Sequence, residues 1–231
     1  MISEEAYFKL HHVSNSDLSS LERFFACEDE LFGLEQAFRF GSLVDAMLTE
    51  PERCDHLNLK VDDVQFYSHE WNRARAMKAS FFRDATASQF LKVAKGQRVF
   101  TEEAFKIRFH GIEFELPVRC KYDLWMNAAN FGGDIKTTVA TSQKQFEEAC
   151  IALDYDRSRA FYMDISGAKK DFIIGISKKE PFKVFKVMID RNHDWYKSGE
   201  EKYQSLSFKY FTLFEDLRSM KRIEHPGLIQ L

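Results

Sequence analysis

Apolar residues first recur at helical spacing. Ser14-Asn15-Ser16-Asp17 ahead of Leu18, Leu21, Phe24 and Phe25 predicts a capped amphipathic helix, because a short polar side chain satisfies a free N–H of the first turn. A second helix is predicted over 35–49, with Leu34, Phe38, Gly41, Val44 and Leu48 along one stripe and Pro51 stopping it. A third helical pattern runs over 70–95 and breaks near Asp84.

The period then shortens to two. Apolar residues alternate over 105–109, and His110-Gly111 supplies a hairpin turn. Over 112–124 the even positions are Ile112, Phe114, Leu116, Val118, Cys120, Tyr122 and Leu124, while the odd ones are mostly charged. That alternation predicts one long two-faced strand. A turn over 127–130, a strand over 131–138, helices over 142–153 and 154–165, strands over 172–176 and 184–189, and a helical tail over 191–221 complete the pattern. The expected fold is α/β, a central mixed sheet flanked by helices. It divides into a helical N-terminal arm over 14–95, a core over 96–190 and a long C-terminal helix over 191–223, all in one domain.

Composition narrows the function classes. The chain has 231 residues, 45% hydrophobic and 30% charged, which excludes a disordered polyelectrolyte. Thirty-three Lys and Arg against 36 Asp and Glu give a net charge of -3, so no global field draws the chain onto nucleic acid or anionic membrane. Cys27, Cys54, Cys120 and Cys150 are too dispersed for a zinc or redox motif. Neither a signal peptide nor a membrane-length apolar run is visible, and the expectation is a cytoplasmic protein with no membrane partner.

The chemistry concentrates in one block. Asp123 ends the long strand, a short turn follows, and Asp134-Ile135-Lys136 lies on the next strand. Period two puts Asp134 and Lys136 on one face with Ile135 turned to the core, and antiparallel pairing sets Asp123 beside Asp134. Adjacent carboxylates repel unless a cation lies between them, and hard oxygen ligands suit Mg²⁺, with Mn²⁺ as substitute. The lysine can hold an attacking water or a phosphate oxygen and stabilise charge in the transition state. A lone Asp-x-Lys triplet is commonly a solvated charge pair; the second acid, the strand–turn–strand context and the following helix give this one weight.

Asp123, the run Asp134-Ile135-Lys136-Thr137-Thr138, and the helix carrying Tyr155 to Tyr162 together resemble the PD-(D/E)xK nucleases, most closely the exodeoxyribonuclease VIII and lambda-exonuclease type. The opening helix at Ser14 and the stretch from Phe40 to Glu52 resemble the N-terminal motifs of that branch, so the likeness spans about 14–165. It implies a restriction-endonuclease-like core and Mg²⁺-dependent hydrolysis of DNA at duplex ends in phage-type recombination. Asp123 and Asp134 would bind metal with the Ile135 backbone carbonyl, Lys136 would be the catalytic lysine, and Thr137, Ser158, Arg159 and Tyr162 would meet DNA. A homo-oligomer is implied, with a single-strand annealing protein as a candidate partner. Three positions depart from the pattern: Tyr122 stands where a proline precedes the first acid, Asp45 where this branch has a metal-binding histidine, and Ser158 where glutamine begins the Gln-x-x-x-Tyr motif. Asp45 is either a solvated helix carboxylate or a further metal ligand. The alternative function is a DNA-binding or assembly module that kept the fold while its site drifted.

Overall fold

The computed structural model describes Tyr7 and residues 10–27 and 34–215. Helix α1 (Asn15–Ala26) opens on Ser14, whose hydroxyl accepts from the Asp17 N–H while the Asp17 carboxylate accepts from the Ser14 N–H, a reciprocal cap that closes both ends of the first turn. Helix α2 (Leu34–Thr49) follows and stops at Pro51. Three two-residue strands, β1 (Cys54–Asp55), β2 (Lys60–Val61) and β3 (Val64–Gln65), form a small antiparallel sheet. They are too short for any periodicity to announce them.

The predicted 70–95 helix is two helices, α3 (Ser68–Arg83) and α4 (Ala85–Val93). Asp84 makes the break: its backbone is extended and its carboxylate caps α4 by accepting from the Ala87 N–H at 2.9 Å.

The main sheet has order β4-β5-β6-β7-β8 and comprises β4 (Lys95–Phe109), β5 (Ile112–Met126), β6 (Phe131–Thr138), β7 (Lys170–Ser177) and β8 (Val184–Asp190). Every pairing is antiparallel except β6 with β7, which is parallel. The crossover that a parallel pair needs is supplied by α5 (Gln143–Ala152) and α6 (Tyr155–Ser166). Helix α7 (Asp194–Tyr210) packs on α6, and a π-helical turn, Phe211–Glu215, ends the described chain; the predicted tail beyond 215 lies outside the described residues. Strand β4 starts ten residues earlier than its alternation indicated. It is an edge strand with most side chains exposed along 95–104, so its sequence carries little apolar signal.

Two apolar layers sandwich the sheet. Leu116, Val118, Cys120, Tyr122, Phe146 and Phe161 belong to one; Leu43, Met47, Phe81, Phe90, Ile135 and Ile174 belong to the other. The reading of 112–124 as a single two-faced strand holds as far as Tyr122 and fails at Leu124. Tyr122 and Trp125 lie in the first layer, and Leu124 lies in the second. The cause is local. Gly96 pairs with Leu124 and Arg98 with Tyr122, which leaves Gln97 and Asp123 opposite each other at an unpaired step, and Gln97 adopts a left-handed backbone with φ 52°. The kink moves the following residues by one face.

Candidate active site

Strands β5 and β6 pair only from Met126 with Phe131 to Leu124 with Gly133. Beyond that they fork. Glycines let the strands approach at the base of the fork. A Cβ on Gly132 would lie 2.0 Å from the Tyr122 ring, and one on Gly133 would lie 2.4 Å from Phe90, so rings press on both faces of β6.

Asp123 and Asp134 flank the opening. The Asp123 carboxylate accepts a hydrogen bond from the Ile135 N–H at 2.7 Å, which places it sideways in the fork rather than on either sheet face. A strand residue directs its N–H and C=O to the same edge, so the Ile135 carbonyl faces the fork as well. On the face of the first layer, Lys136 Nζ lies 2.5 Å from Asp134 Oδ2 and 5.4 Å from the Tyr155 ring centroid. The side chain of Asp134 is 7% exposed and that of Lys136 is 31% exposed, so Lys136 is the member of this pair that reaches solvent.

Asp45 is half-buried on α2. Gln97 Nε2 donates to its Oδ2 at 3.0 Å and Thr49 Oγ1 donates to its Oδ1 at 3.2 Å. Burial raises its pKa, and these two donors oppose the rise. Its charge bears directly on the fork. Burial pushes the Asp123 pKa well up, and the Asp45 and then the Asp134 carboxylate push it further. Asp134 goes the other way: burial would raise it, but Arg159 and Lys136 hold it below the usual carboxylate range. The pKa of Lys136 is raised by Asp134 and Asp123 in spite of its own desolvation.

The residues expected to meet DNA lie elsewhere than on an open surface. Arg159, expected to contact DNA, is a buried counter-ion. Its side chain is 3% exposed, its Nη1 is 3.2 Å from Asp134 Oδ1 and 3.8 Å from Asp171 Oδ2, and its guanidinium lies 4.2 Å from the Tyr162 ring centroid. Ser158 is buried and donates to the Tyr155 carbonyl at 3.0 Å. Tyr162 is half-buried as the lid on Arg159. Thr137 is half-buried against α2 at Gly41, on the sheet face opposite Lys136.

Two residues of this assembly left no signal in the sequence. Asp171 is fully buried on β7, and Gln97 sits on the exposed part of β4, and neither lies in a pattern that marks it. A cavity of about 230 Å³ opens beside Asp45, between α2, the small sheet and β5, with Arg39, Arg53 and Lys121 in its wall.

Among the described residues no three His, Cys, Asp or Glu side chains form a ready-made metal cluster. The donor set nevertheless fits a hard dication. The Asp45 and Asp134 carboxylates both push the Asp123 pKa up, a repulsion that a cation would relieve, and the only charge on buried Asp134 Oδ2 among the described residues is the Lys136 ammonium.

A mixed sheet of five strands, forked at two acids with a lysine two residues after the second, is the frame of the PD-(D/E)xK class. This chain belongs to the family of PDDEXK-like domains of unknown function (DUF3799), whose pattern matches residues 21–224. A solved structure from Eubacterium rectale, named as a candidate exonuclease, is 20% identical with a TM-score of 0.50 over 75% of this chain. The match covers 65% of that protein, so this chain spans less than two thirds of its length. A phage related exonuclease from Haemophilus somnus is 12% identical with a TM-score of 0.38 over 89% of this chain and 96% of its own. No curated protein matches. Among the described residues no helix is long and apolar enough to cross a membrane.

Proposed function

We propose that the chain is a metal-dependent DNA nuclease. The observation that carries this reading is the fork itself: Asp123 on the Ile135 N–H, Asp134 beside it and Lys136 on Asp134. Asp123, Asp134 and the Ile135 carbonyl would hold Mg²⁺ or Mn²⁺, with Asp45 completing the shell directly or through water. When bound, the ion supplies Lewis acidity at the phosphoryl group and a more acidic water. Lys136 leaves Asp134 to hold the attacking water or a non-bridging phosphate oxygen, while Arg159 stays as the counter-charge of Asp134. The cavity beside Asp45, with Lys121 and Arg39 in its wall, is the approach we assign to the substrate strand.

We further assign an exonuclease acting on duplex ends in phage-type recombination, as a cytoplasmic homo-oligomer that works beside a single-strand annealing protein. The family resemblance supports these finer assignments. The experiment is a cleavage assay on linear and nicked circular duplex with Mg²⁺, Mn²⁺ and EDTA. Metal-dependent loss of the linear substrate alone is the expected result, and an inert protein that still retards DNA would favour the drifted binding module. That second reading has one observation behind it, the direct Lys136–Asp134 contact in place of a ready-made metal cluster among the described residues.

A further inference from the structure

Behind the fork lies a buried group of charges. Asp134 of β6, Arg159 of α6 and Asp171 of β7 line up with Arg159 between the two carboxylates, 3.2 Å from one and 3.8 Å from the other. Asp171 is fully buried and Arg159 nearly so. Besides Arg159, the Tyr122 hydroxyl and the Phe172 N–H face the Asp171 carboxylate and favour its charged form, neither in ideal hydrogen-bond geometry. The register explains the alignment. Asp171 is level with Gly132 across the parallel pair, two residues before Asp134 on the same face, and Arg159 reaches down between them from α6.

A guanidinium between two carboxylates is shared. If Asp171 were neutral, Arg159 would close fully onto Asp134 as a bidentate pair, the geometry in which guanidinium–carboxylate contacts are strongest. Both Asp134 oxygens would then be committed, including the one that Lys136 now touches. With Asp171 charged, Arg159 is shared and stays on Asp134 Oδ1, which leaves Oδ2 to Lys136 alone. Tyr162 and Tyr122, with ring centroids 4.2 Å and 5.5 Å from the guanidinium, confine it to that line.

We infer that Asp171 is a positioning residue for the fork: it restrains Arg159 to one Asp134 oxygen, so that the other is held by Lys136 alone and can be exchanged from it to a divalent cation. The inference rests on the nuclease reading and adds to it a residue more than one side chain removed from the reacting groups. Outer partners of metal ligands commonly tune affinity by about 10–100-fold, which sets the size of the effect.

The test is calorimetric titration of the full chain with Mn²⁺, beside cleavage of linear duplex, for wild type, Asp171→Asn, Arg159→Met and the double variant. Asn has the shape of Asp, so a single cooperative melting transition shows that the fold is kept. The expected result is about tenfold weaker Mn²⁺ binding and a lower kcat at unchanged KM for Asp171→Asn. In the Arg159→Met background the same change should have less than twofold further effect. Wild type that binds Mn²⁺ and cuts DNA while Asp171→Asn does both equally well overturns the inference and leaves the nuclease reading standing. An effect of Asp171→Asn that persists undiminished without Arg159 also overturns it. Wild type that neither binds Mn²⁺ nor cuts removes the nuclease reading and this inference together.

Discussion

Gln97 faces Asp123 across the β4–β5 ladder, and at that step both the pairing and the face alternation break. The left-handed Gln97 backbone kinks the hairpin, and its side-chain amide reaches Asp45 and Thr49 at 3.0 Å each. One residue thus shapes the strand that bears the first acid and holds a third acid in place.

Gln97→Ala should therefore be costly for an exposed-strand position. It keeps the unfavourable positive φ and removes the shorter of the two side-chain hydrogen bonds to the half-buried Asp45 carboxylate. A loss of about 1–3 kcal/mol is expected for leaving a buried charged acceptor short of a donor. Urea denaturation of the variant checks this, with an unchanged slope expected because the fold is kept.

The base of the fork should tolerate no added methyl. Gly132→Ala sets a Cβ 2.0 Å from Tyr122, whose ring is fixed among Phe100, Trp125 and Tyr162. Overpacking of this kind costs about 1–3 kcal/mol or more, since neither the ring nor the strand can yield without disturbing the layer. The midpoint of denaturation should fall accordingly, whereas Gly111→Ala, with nothing within 4 Å of the added Cβ, should cost only the strain of its φ of 82°.

Asp171 should give stability a pH dependence of definite sign. Burial raises its pKa to about 6 against the pull of Arg159, so the folded state holds this proton more tightly than the unfolded chain does. The stabilisation from that proton is complete below about pH 4 and is lost as pH rises through 6. Wild type should thus lose stability relative to Asp171→Asn between pH 4 and 7. The loss is at most about 3 kcal/mol, the free energy of holding the proton from about pH 4 up to about pH 6. Paired denaturation curves at about pH 4, 5, 6 and 7 measure the difference, and a flat difference would contradict the assignment.

Much of the framework was legible in the chain. The Ser14 cap, the stop at Pro51, the turn at 127–130 and the alternation of 112–122 each have a local cause, and local causes survive folding. The face of Asp134 and Lys136 followed from period two alone. What the sequence hid depends on distant partners. Leu124 changes face because Gln97, on the neighbouring strand, takes a left-handed turn. Arg159 points inward because Asp134 and Asp171, from two neighbouring strands, meet it inside the sheet–helix interface. No pattern within a single element records either event, and an arginine beside a suspected DNA-binding tyrosine has the same letters whether it faces phosphate or carboxylate.

The central claim is that the fork of β5 and β6 is a hydrolytic centre, and one comparison reaches it most directly: the rate at which wild type and Asp123→Asn degrade linear duplex DNA in Mg²⁺. Asn keeps the volume and can still accept from the Ile135 N–H, so the fold is retained, but it removes the charge that a divalent cation requires. Wild type should degrade the DNA in a reaction that EDTA abolishes, and the variant should be slower by about 10²–10³ or more, the scale expected when a charge contact of the transition state is lost. Equal rates for the two proteins would contradict it.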